Sequence, residues 1–197
     1  DPETGNRFRI NFSKDNSIDL DLPPASSFLF VFDKQKNGEE WKPYPTGSPS
    51  GINIENGWSA EFRHCHEGSV KKVQIDKLLD LKEMQDFVNF AGIIIYRNTV
   101  ILNDPKELFL NLGKVYGLTE LKVNGKDCGV KWYGRRIFQI REFLKSGVNE
   151  IEIKVATTIG NYMKSLTDNR IAQYWTNEKN KIQPIQSMGL IGPVTLY

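Results

Sequence analysis

The stretch from Leu108 to Val155 constrains the fold more than any other part of this chain, because it reads as consecutive strands joined by turns of specific chemistry. Leu108, Leu110 and Leu112 alternate with Phe109 and Asn111 before Gly113, and Leu121 and Val123 lead into Asn124-Gly125, followed by Cys128 and Val130. Asn-Gly is the pair best able to occupy the two left-handed positions of a type I′ turn, whose twist matches that of the flanking strands, so a hairpin is predicted there. Phe138 and Ile140 follow at period two, Leu144 ends a short helical turn closed by Gly147, and Ile151, Ile153 and Val155 alternate with Glu150, Glu152 and Lys154. The pattern predicts an all-β chain, an antiparallel β-sandwich with little helix.

The rest of the chain fits that plan. Trp58-Ser59-Ala60-Glu61-Phe62 reads as an opening strand, and Val73 to Met84 as a loop with one helical turn or a short amphipathic helix, with Asp80 as its cap. Ile93, Ile94 and Ile95 are contiguous and β-branched, as in a strand buried on both faces. Pro, Gly and Ser concentrate between Lys42 and Gly51, which marks a connector. Before it, Phe8, Ile10 and Phe12 alternate with Arg9 and Asn11, Ile18, Leu20 and Leu22 with Asp19 and Asp21, and after Pro23-Pro24 the pattern resumes from Phe28 to Phe32. Three such strands cannot bury both faces alone. The expected division is therefore residues 1–42 as terminal strands of a preceding β domain, 43–57 as linker and 58–197 as the sandwich, the whole being the C-terminal part of a longer protein.

Composition excludes several partners. With 26 basic and 24 acidic residues the formal charge is +2, too close to balance to draw a polyanion, so nucleic acid is not expected. Apolar runs such as Gly92 to Ile95 are too short to span a bilayer, so no membrane partner is expected. Asp1 to Asn6 is polar, and any targeting segment is expected to have been removed or to lie outside this piece. Cys65 and Cys128 do not make a disulfide framework, and two separate half-buried thiols are expected over a pair.

Catalytic motifs are missing. Gly47-Ser48-Pro49-Ser50-Gly51 places proline where a nucleophile elbow needs serine, and there is no phosphate-binding glycine loop, Cys-x-x-Cys or His-Glu-x-x-His. Glycoside hydrolysis needs two opposed carboxyl groups about 5 to 10 Å apart, whereas the acids here sit on alternating strand faces or in turns. On an extended strand His64 and His66 would point the same way with Cys65 on the opposite face, but two ligands do not make a metal site. The expectation is an exposed strand end with Cys65 pointing inward, no catalytic residues and no metal ligands.

A family resemblance lies in the run from Leu112 to Lys126, then Gly129 and Trp132, then Leu144 to Ile153. It is similar to the galactose-binding-like sugar-binding modules of glycoside hydrolases, resembling those of family 2 enzymes and the C-terminal module of family 106 rhamnosidases. Upstream, Phe90-Ala91-Gly92-Ile93-Ile94-Ile95-Tyr96-Arg97 resembles the family's Phe-Ser-Gly-Thr-x-x-Tyr-Arg strand, with Ala91 and Ile93 as departures. Gly189 to Val194 resembles its closing strand, and Leu22 to Phe32 the strand that precedes the module in family 106. The resemblance implies carbohydrate and the catalytic domain of the same polypeptide as partners, and a periplasmic or extracellular setting. It also implies a jelly-roll sandwich and makes a structural calcium credible, since several such modules hold one with loop carbonyls and carboxylates; no other cofactor is expected.

Pyranose rings pack their C–H faces on aromatic surfaces, and their hydroxyls need planar, charged or amide groups. Trp132, Tyr133, Arg135 and Arg136 place that chemistry in one loop, although the family's loop is proline-rich where Gly134-Arg135-Arg136 stands. Asn161 and Tyr162 follow Val155 where the resemblance places an asparagine, and Tyr174 and Trp175 add a second aromatic pair. The competing reading makes Trp132 and Tyr162 core or rim packing, and Arg135 and Arg136 surface charge or internal ion pairs. Together these readings favour a noncatalytic carbohydrate-binding-like module that contacts glycan or positions a catalytic domain. A scaffold without ligand comes second and a self-sufficient glycosidase is a remote third.

Overall fold

The computed structural model describes residues 5–18, 20–22, 25–32, 34, 38–42, 51–106, 109–177 and 183–197. Asp19, Pro23-Pro24, the connector from Pro43 to Ser50 and Leu108 lie outside the described residues. The chain divides into two compact units, Asp1–Thr46 with Tyr133–Arg135, and Gly47–Trp132 with Arg136–Tyr197.

In the first unit, β1 (Phe8–Arg9) and β2 (Glu39–Glu40) pair in parallel, and the Trp41 N–H continues the ladder to the Arg9 carbonyl at 2.9 Å. Phe28 meets Trp41 edge to face at 5.9 Å. The alternation expected from Phe28 to Phe32 forms no ladder among the described residues, and Leu29, Val31 and Phe32 are exposed. A period-two pattern makes a strand only where a neighbour offers hydrogen bonds, and none of the described residues does so here.

The second unit is an antiparallel β-sandwich. Its larger sheet contains β4 (Trp58–His64), β5 (Val70–Ile75), β6 (Gly92–Leu102), β9 (Leu118–Val123), β10 (Lys126–Lys131) and β12 (Gly147–Ala156), in the order β10-β9-β12-β6-β4-β5. A four-stranded sheet has the order β11 (Ile137–Gln139), β7 (Phe109–Asn111), β14 (Thr195–Leu196), β3 (Ile52–Asn53), and β8 (Lys114–Tyr116) pairs with β13 (Gly189–Gly192). The sandwich takes in Ile52 and Asn53, which the sequence placed in the connector. Ile54 is buried as well, its N–H bonded to the Val194 carbonyl and its own carbonyl accepting from the Trp58 indole at 3.0 Å.

The core follows the alternation. Ile151, Ile153 and Val155 of β12, Ile94 and Tyr96 of β6, Leu121 and Val123 of β9, and Leu110 and Leu196 of the smaller sheet are all buried in one cluster. Each such side chain contributes about 1.5–3 kcal/mol by leaving water. Asn124 and Gly125 both take positive φ, 52° and 76°, and join Val123 to Lys126 as a two-residue hairpin turn. Asp80 caps the 3₁₀ turn Leu81–Glu83 by accepting from the Lys82 N–H, whereas Val70–Ile75, partly read as loop or helix, is a strand. Two short helices that the alternation did not foretell, α1 (Gly160–Ser165) and α2 (Arg170–Thr176), follow β12. Among the described residues no helix is long and apolar enough to cross a membrane.

Candidate functional site

The residues singled out in the sequence have different surroundings within their own units. Asn161 is 1% exposed and acts as a clip: its amide donates to the Val88 and Gln186 carbonyls at 3.1 and 2.9 Å, and its Oδ1 accepts from the Gln186 N–H at 2.8 Å. With its donors and its carbonyl engaged inside the fold, it is unsuited to bind a ligand, which corrects the expectation. Arg136 is likewise buried, at 6%, with one η nitrogen 3.3 Å from the Gly117 carbonyl, and burial lowers its proton affinity. Arg135, in the first unit with Tyr133, grips Asp21 with both η nitrogens, one of them at 2.9 Å from Oδ1. The internal-pairing alternative therefore describes Arg135.

Tyr162 is half-buried and packs edge to face on His64 at 4.8 Å, with Phe90 on the same imidazole at 5.7 Å. The His64 Nδ1 accepts from the His66 and Glu67 N–H groups at 3.3 and 3.1 Å. Strand β4 ends at His64, so His66 falls in the turn beyond it and the two imidazoles do not share an extended face. Cys65 is exposed rather than inward for the same reason, and Cys128 is half-buried; neither is in a disulfide. Among the described residues no three His, Cys, Asp or Glu side chains gather as metal ligands.

Three of the aromatic candidates stand at the surface. Trp132, just past β10, is 66% exposed. On α2, Tyr174 and Trp175 meet edge to face at 5.4 Å, and Ile171 lies on the same helix face, at the i, i+3, i+4 spacing. All three of these helix residues are exposed. Asn169 starts that helix by accepting from the Ile171 and Ala172 N–H groups.

The outer face of the larger sheet gathers residues the sequence reading passed over. Ladder register sets Lys122, Glu152, Arg97, Ser59 and Gln74 side by side across five strands. Arg97 bonds Glu152 at 2.8 Å and Glu61 at 3.4 Å, and Glu61 also pairs with Arg63 at 2.6 Å and Lys72 at 3.8 Å. The hydrogen bond from Arg63, outweighing burial, holds the Glu61 carboxyl below the usual carboxylate range. A groove of about 600 Å³ runs beside this row, its walls including Thr99, Glu150 and the turn glycines Gly57 and Gly125. Period-two parity marked Glu150, Glu152 and Lys154 as outward, but their partners on β6 and β9 depend on cross-strand register, which local sequence does not carry.

No family model matches the chain. A "Putative beta-glucuronidase" of Formosa agariphila is 28% identical over 114 residues, covering 54% of this chain and 10% of that protein. The structure of a rhamnosidase from Novosphingobium sp. PP1Y superimposes with a TM-score of 0.60 at 24% identity, over 80% of this chain and 16% of that one. A Ruminococcus gnavus beta-glucuronidase gives a TM-score of 0.48 at 16% identity, over 58% and 22%. This chain thus spans about a tenth of the curated relative and about a sixth of the rhamnosidase. Its fold is that of a β-sandwich module carried by glycoside hydrolases as one part of a much longer chain.

Proposed function

We propose that this chain is a noncatalytic, carbohydrate-binding-like module of a glycoside hydrolase, which contacts glycan while a catalytic domain of the same polypeptide cuts it. The observation that carries the reading is the β-sandwich fold, which matches about a sixth of a rhamnosidase's chain, and the directions in which its acids are shifted agree with it. Hydrolysis of a glycosidic bond needs a carboxyl group that keeps its proton near neutral pH, raised by burial or by a neighbouring acid. Among the described residues, every carboxyl group whose proton affinity departs from the ordinary value, namely Asp15, Glu61, Asp80 and Asp86, departs downward. Such groups stay ionised and serve as hydrogen-bond acceptors. The part-length match to a rhamnosidase and a glucuronidase supports oligo- or polysaccharide as the substrate class of the whole enzyme, and export to the periplasm or beyond as the setting where such polymers are met.

The test has two arms. The purified chain, incubated with 4-nitrophenyl rhamnoside, glucuronide and galactoside, is expected to release no nitrophenol; turnover that survives repurification overturns the reading. Titration with neutral hexasaccharides is expected to shift amide resonances at millimolar sugar, since an open site gains little beyond what ordering the ligand costs.

A second reading, an interdomain scaffold with no ligand, is favoured by the exposed Ile171, Tyr174 and Trp175 of α2. Under that reading Trp175→Ser in the full-length enzyme lowers the melting temperature of the catalytic domain and leaves sugar titrations flat.

A further inference from the structure

We infer that the glycan site of this module is the groove on the outer face of the larger sheet, and that it takes a neutral oligosaccharide lying along the β6–β12 pair. The inference rests on the glycan-contact reading and places the ligand away from the aromatic loop.

Register orders the β6–β12 pair, whose two polar rungs line the groove and whose apolar rung lies just beyond it. Along β6 and β12 three outward rungs follow one another: Ile101 opposite Val148, Thr99 opposite Glu150, and Arg97 opposite Glu152. Rungs on one face of a strand pair are about 7 Å apart. The first rung is apolar and open to solvent, Ile101 at 72% and Val148 at 51% exposure. Two facing β-branched side chains make a small aliphatic surface against which C–H groups of a sugar can leave water. The other two rungs are polar, so a chain passing along the pair meets first a packing surface and then hydrogen-bonding groups.

The polar groups divide into two sets. Arg97 is held between Glu61 and Glu152, which fixes its guanidinium before any ligand arrives and lowers the ordering cost of binding. The side chains of Ser59, Gln74, Thr99, Lys122 and Glu150 make no hydrogen bond or ion pair with other described residues, so their donors and acceptors face the groove unspent. Hydroxyl, amide, ammonium and carboxylate together match alcohols that both donate and accept.

Charge selects the class of sugar. Arg97 and Lys122 stand against Glu150 and Glu152, so the groove lining carries no net charge among these four. An acidic sugar would have to sit beside Glu150 and Glu152, and a basic one beside Arg97 and Lys122; a neutral one meets neither penalty. The charges also lie at the centre of the face. A docking surface for a protein has its apolar residues there and its charges at the rim. The volume of about 600 Å³ is that of a site for a small molecule or short oligomer.

The experiment is a ¹⁵N titration of the 197-residue chain with xylohexaose and mannohexaose, and with an oligogalacturonate as acidic probe. Shifts from at least one neutral sugar are expected at Thr99, Ile101, Lys122 and Glu150. The Lys122→Ala/Glu150→Ala pair, on the surface and remote from the core, is expected to weaken that binding about tenfold, the loss of one or two charged hydrogen bonds. Ile101→Asp is expected to abolish it while circular dichroism and melting temperature stay unchanged. Neutral-sugar shifts confined to Trp132 or to Tyr174 and Trp175 would overturn this inference and leave the glycan-contact function standing. Silence with every sugar would overturn both, and tighter binding of the oligogalacturonate would overturn the neutral class.

Discussion

Asn124 donates from its side-chain amide to the Oδ1 of Asn149 at 2.9 Å, tying the β9–β10 turn to the start of β12. Asn149 is fully buried and also bonds the Lys145 N–H and carbonyl and the Gly147 carbonyl. Asn124 reaches further, to the Phe143 carbonyl and the Glu150 N–H. Asn149→Ala leaves several of these groups buried and unmet, so it should cost about 2–4 kcal/mol. Urea unfolding should show a lower midpoint at unchanged slope; a loss below 1 kcal/mol would mean that water replaces the amide.

Gly92 lies between two backbones. A β-carbon there would stand 2.1 Å from the Arg63 carbonyl oxygen across the β4–β6 ladder, at a φ of 153°. Gly92→Ala must push the two strands apart or break the His64–Gly92 end of the ladder. A penalty of at least about 1–3 kcal/mol is expected, read as a fall of several degrees in melting temperature.

Acid should act through Asp80. Burial pushes its carboxyl up, but hydrogen bonds from Ser187 and from the Met188 and Lys82 N–H groups, with the Lys82 ammonium 3.5 Å away, outweigh burial and hold it below the ordinary value. Because the folded value lies below the unfolded one, the stabilisation is complete above about pH 4 and fades as pH falls through the folded value. Asp80→Asn should therefore be less stable than the parent at pH 7, and the gap should narrow towards pH 3. A gap that stays constant with pH would assign the effect to shape rather than charge.

The two thiols should differ in reactivity. Burial pushes the Cys128 thiol up to about 11, while Cys65 is exposed. Since the thiolate is the nucleophile, a disulfide reagent at pH 8 should titrate one thiol per chain promptly and the second far more slowly, the difference vanishing in denaturant. Prompt release of two equivalents would contradict the burial of Cys128.

Strand content was legible because burial at period two writes itself into the residues, as in Ile151, Ile153 and Val155. The helices were not, because six- and seven-residue helices carry too few turns for a period to show. Asn169, two residues before Ile171, was the available signal for α2. The candidate site was read from side-chain chemistry and, for Asn161, from the resemblance, and neither can tell an asparagine that binds ligand from one that, like Asn161, fastens two loops. Arg97 illustrates the converse: it was quoted within a motif, yet its placement between Glu61 and Glu152 exists only once β4, β6 and β12 align.

The position of β14 has a consequence for synthesis. Thr195 and Leu196 lie between β7 and β3, pairing Asn111 and Leu110 on one side and Asn53 and Ile52 on the other. While those two residues are still inside the ribosomal exit tunnel, both neighbours lack their shared partner and the smaller layer stays open. The smaller layer therefore closes only when its last strand is free to pair, and a chain truncated before residue 195 should be trimmed readily by protease where the 197-residue chain resists.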